Sequence, residues 1–250
     1  MGLLEVRELR KSFGGVRAVD GVSFSIGEER KVFLIGPNGA GKTTLVNLIS
    51  GYLLPDSGSV LFMGRDVSRL GMVERTKRGI ARSFQLVNVF WNLSVEENLA
   101  MAIASRKGLN MRPFPPLRSH REVLEEAAEI GKVFGLEASM EKLPLELSQG
   151  DRKVLDVAMA LALRPRLLLL DEPTSGVATK DKFGIMERIL SATSSFGATT
   201  MIIEHDMDVV FKYAERVMVM HNGRVIADDL PEKVRKREDV RSVLLGGIYA

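Results

Sequence analysis

Residues Gly36-Pro37-Asn38-Gly39-Ala40-Gly41-Lys42-Thr43 fit the pattern G-x-x-x-x-G-K-S/T without a departure. Glycines in such a loop let the backbone curl until successive N–H groups point inward, an arrangement that binds phosphate oxygens. Lys42 would place its charge at β and γ phosphates, and the Thr43 hydroxyl would ligate Mg2+. A second reactive pair, Asp171-Glu172, follows Leu167-Leu168-Leu169-Leu170 directly. An apolar strand in a parallel sheet delivers the residues at its carboxyl end to the edge where ligands bind. There Asp171 suits a metal held through water, and Glu172 suits polarisation of an attacking water. Adjacent acids after a strand also occur as caps of a following helix, and that reading stands beside the catalytic one. A third candidate is His205, which follows the run Ile202-Ile203-Glu204. A neutral imidazole there would contact a γ phosphate and orient the water, whereas a lone histidine at a strand end commonly serves structure alone.

These side chains need elements to hold them. Lys31 to Ile35 is the dense apolar run of a buried strand, placed just before the loop. Lys42 to about Ser50 is helical, with Gly51 as its stop, so a positive helix end adds to the loop. Leu3 to Leu9, Val22 to Ile26 and Ser59 to Met63 are expected as short strands. From Ser94 to about Phe134 the pattern is helical, with Val123, Ala127, Ile130 and Phe134 at i, i+4, i+7 and i+11. Arg106 to Arg121 interrupts it with Pro113, Pro115, Pro116 and five basic residues, and is expected as an exposed, solvated loop. After Gly150 come a helix over Arg152 to Leu163, the leucine strand, a helix over Lys182 to Ser191 and a strand over Thr199 to Ile203. Val217 to Met220 and Arg224 to Ala227 form a hairpin across Asn222-Gly223. The layout is an α/β core interrupted by a helical insert, with no internal repeat: one domain over 1–250, its core lobe 1–85 and 146–250, its helical lobe 86–145.

Composition bounds the function classes. The 250 residues suit one large domain or two packed lobes. Apolar residues at 45% and charged residues at 27% are ordinary for a globular protein. No cysteine is present, which excludes disulfides and thiolate metal sites, and three histidines are too few for a histidine-rich one. The net charge of +3 arises from 35 basic residues spread among 32 acidic ones, so no nucleic-acid partner is expected. No apolar run reaches the roughly 18 residues that span a bilayer. Val154 to Leu163 comes nearest and is broken by Asp156. The first residues lack a signal-peptide layout, and the Met-Gly start has a poor continuation for myristoylation. Any membrane contact is therefore expected through a partner protein.

Five segments in order resemble the ATP-binding cassette family of nucleotide-binding subunits: the loop at 36–44, Gln85 after Arg82-Ser83-Phe84, Leu147-Ser148-Gln149-Gly150-Asp151, Asp171-Glu172, and His205. The resemblance covers essentially the whole chain, and a Leu-Ser-x-Gly segment belongs to that family alone among phosphate-loop ATPases. It implies a phosphate-loop NTPase (RecA-like) α/β fold with an N-terminal antiparallel β subdomain and an inserted α-helical subdomain. It implies ATP and Mg2+ as cofactors. Nucleotide contacts would come from Phe13 stacked on adenine, from Val16 and Ala18, and from Gly36, Pro37, Asn38, Gly39, Ala40, Gly41, Lys42, Thr43 and Thr44. Gln85 would reach Mg2+ and the attacking water, Thr43 and Asp171 would hold the metal, and Glu172 and His205 would complete catalysis. Ser148, Gln149 and Gly150 would bind the γ phosphate of ATP held by an opposite subunit, with Gly150 permitting close backbone approach and the segment opening the helix 152–163. One chain would not complete a site; two would close head to tail around two nucleotides and separate after hydrolysis.

Lys11-Ser12-Phe13-Gly14-Gly15 with Ala18-Val19-Asp20, then Gly79 to Gln85, then Ile203-Glu204-His205-Asp206-Met207, resemble the ATPase subunits of branched-chain amino acid importers; urea and short-amide importers share these features. That implies two membrane permease subunits, a second identical or related cassette ATPase and, indirectly, a substrate-binding protein, at the cytoplasmic face of the cell membrane. Leu86 to Trp91 would lie where a permease helix docks, against ordinary packing for Trp91. Three positions depart from the family pattern. Ala178 stands where Asp or Asn is common, which puts coupling between the two sites in doubt. Asp151 replaces a glutamine and Gln149 a glycine or aromatic residue, with Ser148 and Gly150 intact. Other readings are a soluble cassette ATPase acting in cluster assembly or on ribosomes or DNA, a catalytically weak pairing subunit, and a phosphate-loop kinase. The coiled coils, zinc modules and paired cassettes of the DNA- and ribosome-acting relatives are not seen, and a kinase has no need of Ser148-Gln149-Gly150.

Overall fold

Val32, Phe33, Leu34 and Ile35 are all fully buried, so the strand leading into the phosphate loop has apolar neighbours on both faces. The computed structural model describes residues 2–27, 29–83, 89–109 and 120–246. The chain runs β1 (Leu4–Phe13), β2 (Val16–Ile26), β3 (Lys31–Ile35), α1 (Lys42–Ser50), β4 (Ser57–Phe62), β5 (Arg65–Asp66), α2 (Met72–Lys77) and β6 (Ile80–Arg82). It continues through α3 (Val95–Arg106), α4 (Arg121–Val133), α5 (Gln149–Ala162), β7 (Leu167–Asp171), α6 (Thr179–Ser195), β8 (Thr199–Ile203) and α7 (Met207–Tyr213). Then come β9 (Arg216–His221), β10 (Arg224–Asp229), α8 (Pro231–Lys236) and α9 (Glu238–Gly246). Two compact units emerge, Met1–Arg78 with Thr199–Ala250, and Gly79–Ala198.

The first unit holds an antiparallel sheet of order β2-β1-β4-β5 and a second set in which β3 lies between β8 and β9, parallel to both, with β10 antiparallel to β9. β1 and β2 are longer than their apolar runs foretell, Leu4–Phe13 and Val16–Ile26 in place of Leu3 to Leu9 and Val22 to Ile26. They join through the Gly14-Gly15 turn, with Phe13 opposite Val16. Their outer halves carry polar residues and register shifts, which hide the period-2 signal. The hairpin at Asn222-Gly223 forms as its dipeptide predicts, with φ 47° and 77° at the two positions.

Helix α1 ends where expected, on Gly51 at φ 77°. Its C-terminus is closed by Arg75, a residue with no role in any motif. Arg75 is fully buried. It donates from Nη1 to Leu48 O at 2.6 Å and Ile49 O at 2.8 Å, from Nη2 to Ser68 O at 2.9 Å and from Nε to Leu70 O at 2.9 Å. Burial pushes its pKa down to about 10, with Asp66 opposing, so it stays charged at neutral pH and faces the negative end of α1. A Cβ on Gly51 would strike this side chain, so glycine is required there twice over. Arg75→Ala should cost about 3–5 kcal/mol, through lost packing and four buried carbonyls left without their donor. Denaturant unfolding of the variant reads this directly; a loss under about 1 kcal/mol would show that water replaces the guanidinium.

In the second unit β6 and β7 pair in parallel, and α3 packs on α4 and α5. Glu126 of α4 collects Arg106 at 2.6 Å and Arg164 at 2.8 Å. Burial would raise its carboxyl pKa, and hydrogen bonds from Arg164 and Arg106 overcome that and lower it. The helices at 95–106 and 121–133 agree with the helical period; of the Arg106 to Arg121 loop, residues 110–119 lie outside the described residues. Among the described residues no helix is long and apolar enough to cross a membrane.

Candidate functional site

In the first unit the loop 36–41 is shaped by contacts that exclude side chains. Gly36 adopts φ 147° and Gly41 φ 99°. A Cβ on Gly36 would overlap the Met220 carbonyl oxygen, and one on Gly41 that of Ala18. The hairpin turn braces the loop from outside, since Gly223 N donates to Ala40 O at 3.0 Å. Sequence reasoning missed this role for Gly223; only its turn signal was visible. Gly41 is the N-cap of α1 and offers no side-chain acceptor, so no cap side chain competes with an anion for the first-turn N–H groups. Lys42 is buried, its Nζ donating to Gly36 O at 2.7 Å and Pro37 O at 2.9 Å. The ammonium is thus folded across the mouth of the loop. Asn38, Gly39 and Thr43 are exposed, Pro37 and Thr44 half-buried.

In the same unit Phe13 and Val16, cross-strand partners at the β1–β2 turn, face solvent at 49% and 68% exposure, an apolar surface on which a flat base can stack. Lys11 Nζ stands 5.8 Å from the Phe13 ring centroid. Ala18 is half-buried. His205 follows β8 and is exposed, not packed into the core as a purely structural histidine would be.

The second unit holds the acids. Asp171 and Glu172 cap no helix: α6 begins at Thr179 with Ala178 as N-cap, so the capping reading fails. Asp171 is buried, and its Oδ2 accepts from Arg82 Nη2 at 2.8 Å. Its Oδ1 is buried and has no hydrogen-bond partner among the described residues. Glu172 sits in the left-handed region at φ 50°, a strained conformation for a residue with a Cβ. Its carbonyl accepts from Ser175 N at 3.1 Å, and Ser175 Oγ accepts from the buried Lys153 at 3.2 Å. The supporting roles of Arg82, Lys153 and Ser175 carry no signal in the sequence, because nothing local marks a pairing between distant residues. Gln85 lies outside the described residues, as do 86–88 of the 86–91 segment.

Ser148 is the N-cap of α5, which therefore starts at Gln149, three residues before the expected Arg152. Gly150 is buried inside the first turn, where a Cβ would strike Ile185 Cδ1; the close approach it permits is to α6. Gln149 lies against Gly176. Ser148, Gln149, Gly150, Gly176, Ala178 and Arg188 are among the residues lining a cleft of about 940 Å³. Ala178 supplies no side-chain cap to α6.

Residues 19–175 match the family described as ABC transporter. The chain belongs to this family. The high-affinity branched-chain amino acid transport ATP-binding protein BraF of Pseudomonas aeruginosa is 34% identical over 251 residues, covering 98% of each chain. A nucleotide-free ATP-binding cassette from an ABC transporter superposes with a TM-score of 0.84 at 31% identity, covering 97% of this chain and 98% of that one. A dimeric cassette in a post-hydrolysis state, bound to ADP and Pi, has a TM-score of 0.76 at 26% identity, covering 91% of this chain and 98% of the other. As an ABC cassette this protein is an α/β ATPase. In the first unit Thr43 is exposed, and in the second one buried Asp171 oxygen lacks a partner among the described residues; hydroxyl and carboxylate oxygens are each donors that Mg2+ accepts. Among the described residues no three His, Cys, Asp or Glu side chains form a metal cage of their own.

Proposed function

We propose that this chain is the ATP-hydrolysing subunit of an importer for branched-chain amino acids or related small amino acids and amides. The observation that carries this reading is the full-length similarity to a branched-chain amino acid transport ATP-binding protein. The loop 36–44 holds the phosphates, with Lys42 at the β and γ groups, and Phe13, Val16 and Ala18 hold the base. Thr43 and Asp171, joined by Gln85, would hold Mg2+, which neutralises phosphate charge when bound. Glu172 takes the proton of the attacking water, and His205 and Gln85 orient that water. Ser148, Gln149 and Gly150 meet the γ phosphate of a second identical or related cassette, so two chains form two sites. The core lobe is 1–85 with 146–250, and the helical lobe 86–145 faces the permeases. There Phe90 and Trp91 are exposed, at 49% and 39%, on a loop that Asn98 clamps. Asn98 accepts from Phe90 N and donates to Phe90 O, Leu93 O and Ser94 O. Such a rigid aromatic knob suits docking of a permease helix. The protein then works at the cytoplasmic face of the membrane, with a substrate-binding protein as indirect partner.

Purification of the chain with its native complexes from detergent-extracted cells, followed by mass spectrometry, tests the transport reading. Two polytopic membrane proteins and a second cassette ATPase are expected. Ribosomal, DNA-bound or cluster-assembly proteins, with no membrane protein, would overturn it.

A further inference from the structure

The Ser148 hydroxyl is doubly engaged with one carboxylate residue. It accepts from Asp151 N at 3.0 Å and donates its hydrogen to Asp151 Oδ2 at 2.8 Å. Asp151 Oδ1 in turn accepts from Arg188 Nη1 at 2.9 Å. The remaining Arg188 nitrogens reach the C-terminal end of α4, with Nε and Nη2 donating to Phe134 O at 3.0 and 2.8 Å and Nη2 to Gly135 O at 3.2 Å. One guanidinium therefore joins α6, α4 and the first turn of α5. Asp151 and Arg188 are 32% and 33% exposed and both line the cleft, together with Lys180, Asp181 and Glu187.

This arrangement poses a problem for an anion arriving at α5. A hydroxyl has one hydrogen, and Ser148 spends it on Asp151. To donate to a phosphate, Ser148 must turn that hydrogen away, and the Asp151 carboxylate is then left near the anion. Like charges at that range oppose binding unless a cation compensates. Arg188 is the cation in direct contact with Asp151, held in place by carbonyls that fix its fork.

We propose that Arg188 is a positioning residue for phosphate recognition, holding and neutralising Asp151 so that Ser148 can turn its hydroxyl hydrogen to an incoming γ phosphate. This rests on the role given to Ser148 above. Arg188 touches no substrate. Its effect belongs in ATP binding and leaves the chemical step nearly unchanged.

Steady-state hydrolysis by the purified chain tests it. Arg188→Gln keeps N–H donors for Phe134 O and removes the charge. It should raise KM for ATP about 5- to 20-fold, the range for uncovering a half-exposed charge, and change kcat less than about twofold. Arg188→Lys keeps the charge but loses the fork that the carbonyls hold, so its KM should fall between those of the parent and Arg188→Gln. Adding Asp151→Asn to Arg188→Gln should restore KM to within about threefold, because the carboxylate that needed compensation is gone. A purely structural Arg188 would instead lower the thermal midpoint, with KM unmoved or not rescued by Asp151→Asn; that result overturns the proposal. Ser148→Arg serves as the reference. If it loses turnover while the Arg188 and Asp151 effects simply add, Arg188 alone is misassigned. Retained turnover in Ser148→Arg would overturn the role of Ser148, and this proposal with it.

Discussion

Lys42→Ala should lose at least about 100-fold in ATP affinity, because it removes a side-chain charge held inside the loop mouth. The parent pre-organises this ammonium: Gly36 O and Pro37 O hold it, and burial keeps it from competing water. A phosphate arriving at the loop therefore finds a positive charge already in place beside the N-terminus of α1. With alanine, the N–H groups remain but the charge is gone, and two carbonyls near the anion lose their donor. Those carbonyls also weaken the loop itself, by about 1–3 kcal/mol each if they stay dry. Nucleotide titration by calorimetry should thus be paired with thermal unfolding of the ligand-free variant. A folded variant with unchanged ATP affinity would remove the loop from the nucleotide site.

The parts of this protein that could be read beforehand are those whose physics is local. Strand β3, helix α1 and strand β8 have the bounds their apolar runs and glycine stop predict. The phosphate loop is written in consecutive residues, since its chemistry is done by consecutive N–H groups. Helix α5 starts three residues before the expected Arg152, because Ser148 and Asp151, at cap and N3, serve as a helix cap as well as part of the ligand-like motif. The short helices α2, α7, α8 and α9 escaped notice, being too short or too polar for a clear period. Least visible are the pairings that hold the site: Arg82 with Asp171 across 89 residues, Arg188 with Asp151 across 37, Lys153 with Ser175 across 22. No spacing rule reaches that far. Arg75 could be located by no motif either, and only its burial reveals it.

Glu172→Gln should lower kcat for ATP hydrolysis by about 100- to 1000-fold while leaving ATP affinity within about twofold, as expected for loss of a general base. The substitution preserves shape, so the left-handed turn at φ 50° and the Ser175 N to Glu172 O bond survive it. What changes is basicity: an amide takes no proton from water. The neighbouring Asp171 cannot stand in, because its Oδ2 is bound to Arg82 and the residue is buried. If the proposed pairing of two chains around ATP is right, the same variant should accumulate as an ATP-bound dimer, visible by sedimentation, that the parent forms only transiently. A Glu172→Gln protein that hydrolyses ATP at the parental rate would exclude Glu172 as the base and shift the role to His205, the other titratable side chain proposed for catalysis.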